Sequence, residues 1–169
     1  MRSAKSSVIS FDTNVRANLW PKISELSVWI QKLATKTKLL FVTDSDDLAI
    51  YGERTPFEAI QFYHDLGFEE VVYRRGATGC IVSAGNESFT VPALSGVSVV
   101  DTTGAGDAFN AGYIFGHKAM MSFADRAIFA SAVAASAISV RGGLNKAFSR
   151  SMAFENLARL RNQMAINAR

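Results

Sequence analysis

The 169-residue chain has one cysteine, three prolines and two histidines, and each scarcity narrows its chemistry. Cys80 sits in an apolar run with no partner, which excludes an internal disulfide and fits a reducing compartment. His64 and His117 are isolated, so no paired His or Cys spacing points to zinc, and both read as ordinary helix-surface residues. No apolar run approaches the roughly 20 residues that a membrane helix needs, and residues 1–7 lack a signal-peptide core. Together these absences predict a soluble, cytoplasmic protein with no membrane partner. No Gly-x-x-x-x-Gly-Lys-Ser/Thr string occurs, which removes the nucleotide P-loop. The dinucleotide fingerprint fails too, because Phe109 stands at the third glycine of the pattern that begins at Gly104, and that pattern comes late in the chain. There are no repeats, no low-complexity tract and no interdomain linker.

What remains is ordinary globular material, 49% hydrophobic and 20% charged, long enough to bury a sizeable single core. The net charge of +3 suits anionic small molecules and weak nucleic-acid contact equally. Arg150, Arg159, Arg161 and Arg169 gather near the C-terminus without interleaved aromatics, which predicts a solvated helix face rather than a nucleic-acid partner.

The hydropathy pattern alternates strand and helix. Val8, Ile9 and Phe11 read as a buried strand. Pro21 then opens a helix with Ile23, Leu26, Ile30 and Leu33 on one face, and residues 38–42 return as a second strand. Thr55-Pro56-Phe57-Glu58 has capping-box spacing, so a helix is expected to run to Leu66 before Gly67 stops it. Strands are expected at 71–74, 80–83 and 88–91, the last two joined by a Gly85-Asn86 turn. Val97, Val99 and Val100 read as a strand feeding a helix that starts at Ala108. An alanine-rich helix over 123–140 ends at Gly142-Gly143. Ala153, Leu157, Leu160 and Met164 give the last helix an apolar stripe. The expectation is one α/β lobe over residues 1–169 with a largely parallel sheet flanked by helices.

Asp101-Thr102-Thr103-Gly104-Ala105-Gly106-Asp107-Ala108-Phe109 joins the expected strand to the expected helix through a turn of bare backbone. Gly104 and Gly106 leave space where helix amides point outward, so the positive end of the helix could meet a phosphate. A carboxylate in an anion site is unfavourable unless it takes a proton from something attacking that phosphate, which makes Asp107 a candidate general base. A purely structural reading also stays open on local grounds: glycines for a tight turn, and Asp107 capping the dipole.

The string from Asp101 to Gly112 closely resembles the C-terminal signature of the ribokinase-like (PfkB) carbohydrate kinases. The resemblance implies that Gly104, Ala105 and Gly106 form an anion hole and that Asp107 deprotonates a sugar hydroxyl. Phe11-Asp12-Thr13-Asn14-Val15-Arg16, running on to Leu19-Trp20, resembles a segment most typical of 2-keto-3-deoxygluconate kinases and fructokinase-like members. That places Asp12, Asn14 and Arg16 on the substrate and phosphate side, where a guanidinium can pair bidentately with a carboxylate. An Asx turn beside a solvated arginine explains the same residues locally. Val71-Val72-Tyr73-Arg74-Arg75-Gly76-Ala77-Thr78-Gly79 resembles a hairpin beside the nucleotide, with Arg74 where lysine is usual. A plain glycine hairpin would look the same. The implied nucleotide contacts are Arg74, Gly76, Gly79, Thr103 and Ser131. The family's Asn-x-x-Glu is altered here to Thr43-Asp44-Ser45-Asp46-Asp47. Asp46 or Asp47 could supply its metal-organising carboxylate through water, since magnesium keeps much of its hydration shell, and a Ser45 helix cap followed by acids is an equal local explanation. Asp101 and Thr103 would border a monovalent-cation site.

The resemblance therefore implies the C-terminal portion of a three-layer ribokinase-like fold. It also implies ATP and Mg2+ as cofactors, a small sugar or sugar acid as substrate, and 2-keto-3-deoxygluconate as the favoured acceptor. It covers nearly the whole chain but only half of such an enzyme. The N-terminal half and its lid are expected to be missing, with residues 4–7 the end of an earlier helix. An exposed sheet edge beside residues 8–11 would then favour self-association. The other reading is a truncated nucleotide-binding module without catalysis.

Overall fold

The computed structural model describes residues 8–143 and 149–168. In chain order its elements are strand β1 (Ser10–Asp12), helix α1 (Ile23–Ala34), strand β2 (Leu39–Thr43), helices α2 (Asp44–Tyr51) and α3 (Pro56–Leu66), strands β3 (Glu70–Arg74), β4 (Cys80–Ala84) and β5 (Glu87–Val91), and helices α4 (Ala105–Lys118), α5 (Phe123–Ile138) and α6 (Arg150–Asn167). Short 3-10 turns occur at Ala17–Leu19 and Gly76–Thr78. Residues 4–7 and Arg169 lie outside the described residues.

The five strands form one sheet in the order β1-β2-β3-β4-β5. β1, β2 and β3 run parallel, with Asp12 opposite Phe41 and Thr43 opposite Arg74, so their carboxyl ends finish together. The five residues between β3 and β4 are too few for a parallel crossover, and Gly85-Asn86 closes a two-residue hairpin with Gly85 at φ 58°. The sheet is thus mixed, with a parallel part that carries the βαβ units and a hairpin added to it.

The chain clusters into two compact units, Met1–Arg75 with Ile81–Ser88, and Gly76–Cys80 with Phe89–Arg169. The boundary passes through β4 and β5 rather than through a flexible linker, which is why no compositional break marks it. In the first unit Leu26 and Ile30 of α1 and Ala59, Ile60 and Tyr63 of α3 pack on Leu40, Val42, Val71, Tyr73 and Ile81. β2 is buried along its length, as a central parallel strand should be. In the second unit α4, α5 and α6 form the core, with Phe129, Val133 and Ala153 buried together. Gly112 makes the α4–α5 contact possible, since a Cβ there would stand 3.0 Å from the Ala130 Cα.

The capping box forms as the sequence predicts: Thr55 Oγ1 accepts from the Glu58 amide and the Glu58 carboxylate accepts from the Thr55 amide. Gly67 ends α3 in the left-handed region at φ 112°. Other expectations are corrected. Residues 97–100 form no strand. Val99 and Val100 are 62% and 56% exposed, and the amides of Val100 and Asp101 are taken by the Ile138 carbonyl at the end of α5. Apolar alternation supplies a strand pattern, but a strand also needs a paired neighbour, and none flanks this segment among the described residues. Val8 and Ile9 are exposed rather than buried, because β1 is a three-residue edge strand. α1 starts at Ile23, two residues after Pro21. α5 stops at Ile138, before the glycines, which have another use. His64 is half-buried on α3 and bonded on both ring nitrogens, its Nδ1 meeting the Phe68 carbonyl at 2.8 Å and its Nε2 the Ser83 hydroxyl at 2.9 Å.

Candidate functional site

In the first unit the carboxyl ends of β1, β2 and β3 deliver three groups predicted to be functional. Asp12 and Arg74 meet directly, Arg74 Nη2 donating to Asp12 Oδ1 at 2.8 Å. Arg74 is itself buried, so this contact fixes the end of β1 against the end of β3. Asp12 Oδ1 also accepts from the Asn14 amide at 3.1 Å, an Asx turn in which Asn14 takes φ 37°. Few residues other than asparagine, aspartate and glycine tolerate that backbone. The Asn14 and Arg16 side chains are exposed.

The acidic segment after β2 begins a helix, α2, in keeping with the helix-cap alternative offered by the sequence. Its cap is Thr43, not Ser45: Thr43 Oγ1 accepts from the Asp46 amide at 3.0 Å. Both candidate metal carboxylates turn inward and are filled by protein donors. Asp46 Oδ2 accepts from Thr13 Oγ1 at 2.6 Å, and its Oδ1 accepts from the Val15 amide at 3.2 Å. Asp47 accepts bidentately from Arg54, at 2.5 and 3.1 Å, and from the Tyr63 hydroxyl at 2.8 Å. Burial and the adjacent Asp47 carboxylate push the Tyr63 hydroxyl far above its usual range, so it stays a donor. The Arg54 guanidinium also lies over the rings of Tyr51 and Phe62, at 4.6 and 4.3 Å. Among the described residues no group of three or more His, Cys, Asp or Glu could hold a metal. Both carboxylates are buried and committed to protein donors, an unfavourable arrangement for a magnesium ion that keeps several waters.

The second unit carries the glycine turn. Gly104 is the N-cap of α4 in the left-handed region, φ 78°, with no side-chain cap. The Ala105 amide is spent on the Thr102 carbonyl at 3.1 Å, and the Ala108 amide on the Gly104 carbonyl at 2.9 Å. The Gly106 and Asp107 amides are left without a backbone acceptor among the described residues, at the positive end of a 14-residue helix. Asp107 is exposed, with no hydrogen-bond partner for its carboxylate among the described residues. Asp101 braces the turn by accepting from the Thr103 amide at 2.8 Å and the Gly142 amide at 2.9 Å. Those two bonds hold its carboxyl below the usual aspartate range.

Gly142 and Gly143, read from sequence as a helix stop, in fact close over this turn. Gly104 lies so near Gly143 that a Cβ on it would stand 3.0 Å from the Gly143 Cα. Only the glycine pair itself hinted at this, since the contact spans some forty residues. Gly79 is equally constrained, because a Cβ there would stand 2.0 Å from the Val91 carbonyl. Ser131 is half-buried in α5, its hydroxyl 3.9 Å from the Cys80 sulfur. The sequence reading also missed Asn156 of α6, which donates to the buried Ser136 hydroxyl at 2.9 Å and thereby ties α6 to α5.

A family model described as pfkB family carbohydrate kinase matches residues 1–148. The 2-dehydro-3-deoxygluconokinase of Escherichia coli K12 is 38% identical over 114 residues, 66% of this chain and 37% of that protein. An E. coli structure in complex with ATP and Mg2+ is 30% identical, with a TM-score of 0.76 over 89% of this chain and 48% of its own. The aminoimidazole riboside kinase of Salmonella enterica, solved with aminoimidazole riboside and an ATP analogue, is 27% identical with a TM-score of 0.79, covering 89% and 52%. The chain therefore spans about half the length of these solved structures and less of the curated relative.

Proposed function

The chain belongs to the pfkB family of carbohydrate kinases, with a ribokinase-like α/β fold, and from that premise we propose that it transfers the γ-phosphate of ATP to a hydroxyl of a small sugar acid. Asp107 is the general base that takes the proton of the attacking hydroxyl. The Gly106 and Asp107 amides, with the α4 dipole behind them, receive the negative charge of the transferred phosphoryl group. Gly104 and Ala105 shape that anion hole, with Thr103 at its rim. Magnesium would accompany the nucleotide and would supply neutralising positive charge at its phosphates. Asn14 and Arg16 contact the acceptor, and the guanidinium suits a carboxylate. The preferred acceptor is 2-keto-3-deoxygluconate, the substrate class of the 2-dehydro-3-deoxygluconokinase relative.

The observation that carries this reading is the pairing of an exposed, unpartnered Asp107 with two unspent amides on the same helical turn. The test is ATP turnover by this chain with a panel of sugars and sugar acids, compared with Asp107→Asn. Loss of a positioned base is expected to lower kcat by about 10^2 to 10^4 with little change in KM. Equal turnover by both proteins would sink the base assignment. The competing reading that the same assay decides is nucleotide binding without turnover. ATP binding with no sugar-dependent hydrolysis or transfer would support it.

A further inference from the structure

The loop after β1 hangs on one carboxylate. Asp46 bonds both flanks of Asn14, through the Thr13 hydroxyl and the Val15 amide. Asn14 between them sits in a sparsely populated backbone region, which persists only where its surroundings over-determine it. Asp46 is itself anchored from two directions. Its amide caps onto Thr43 Oγ1, and its neighbour Asp47 is locked by Arg54 and Tyr63. On the near side of the loop, Arg74 fixes Asp12. The residues left to face solvent are Asn14 and Arg16. The Asp46 carboxylate is buried, and both of its oxygens are engaged by the loop, one by a 2.6 Å hydroxyl bond and the other by an amide.

We propose that Asp46 is a positioning residue that holds the loop of Thr13, Asn14 and Val15 so that Asn14 and Arg16 meet the acceptor, and that it is not a magnesium ligand. The role rests on the sugar-acid kinase reading above, but the geometry it asserts does not.

The test uses the whole chain with Asp46→Asn, Thr13→Val and the conservative Thr13→Ser. Amide hydrogen exchange, followed by NMR without ligands, is expected to show Val15 protection falling at least tenfold in Asp46→Asn, with the Tyr63 amide of α3 unchanged. Unchanged Val15 protection would overturn the anchor. Mn2+, added without nucleotide as a magnesium probe, is expected to broaden wild type and Asp46→Asn alike. Broadening centred on residues 44–47 that vanishes in Asp46→Asn would overturn the claim that Asp46 binds no metal. In turnover assays Asp46→Asn and Thr13→Val are expected to raise the sugar-acid KM about tenfold, with KM for MgATP within twofold and Thr13→Ser restored to wild type. A lowered kcat with raised magnesium requirement and unchanged sugar KM would overturn it. If wild type itself turns over no sugar acid, the kinase reading fails for this chain, and the exchange and Mn2+ results still decide the role of Asp46.

Discussion

Asp47 accepts three bonds, from Nε and Nη2 of Arg54 and from the Tyr63 hydroxyl, and it is buried almost completely. Removing one member of such a pair leaves the other as an uncompensated buried charge, which costs about 3 to 5 kcal/mol. Arg54→Ala is expected to lower the melting temperature by about 10 °C, read by circular dichroism. Arg54→Lys should recover only part of this, since a lysine supplies neither the fork nor the stacking on Tyr51 and Phe62. Asp101 acts through pH instead. Its carboxyl is held below the ordinary value of 3.8 by the Thr103 and Gly142 amides. Stability from a depressed carboxyl is present above the ordinary value and is lost as pH falls through the folded one. Exchange protection of the Thr103 and Gly142 amides should therefore be constant above about pH 5 and fall below about pH 4, and in Asp101→Asn it should be weak at every pH. The Asp101 to Asp107 string was legible because it is local. Its brace at Gly142 was not, because nothing in a one-dimensional pattern connects positions so far apart.

Among the elements, those whose signal is local chemistry came through best. The Thr55 box, the Gly67 stop and the Gly85-Asn86 turn are each specified within four residues. The valines at 97, 99 and 100 failed as a strand because pairing depends on a neighbour that periodicity does not report. α2 was only one of two local alternatives because its first four residues are all acidic or hydroxylic and it carries little apolar stripe. α4 and α5 depend on a smooth face instead. Gly112 approaches Ala130 and Val133, so Gly112→Val would force the helices apart at a cost of about 1 to 3 kcal/mol, read as a shift in denaturant midpoint. Gly112→Ala should cost less, because the clash is with a single Cα and a movable valine side chain.

For the whole molecule, the consequences lie at the sheet edge and in the path of the chain. β1 is an outer strand of three residues, preceded by exposed Val8 and Ile9. Such an edge offers unpaired backbone groups to another chain. Sedimentation should reveal concentration-dependent association that Ile9→Lys suppresses, and a wild-type chain that stays monomeric at high concentration would refute this. No helix among the described residues is long and apolar enough to cross a membrane. The ribokinase-like α/β fold was readable from the alternation of elements and the signature together, whereas the division into two units was not, because it runs through strands.

That division has a practical meaning for dissecting the protein. The polypeptide passes from one unit to the other at residues 75–76, 80–81 and 88–89. Neither unit can be excised as a contiguous piece. A nick between Gly85 and Asn86 would leave the C-terminal fragment without residues 76–80 and the N-terminal fragment without residues 86–88. Each fragment would carry a segment that the other's unit requires, which makes that turn a natural break point for split-protein complementation rather than for domain isolation.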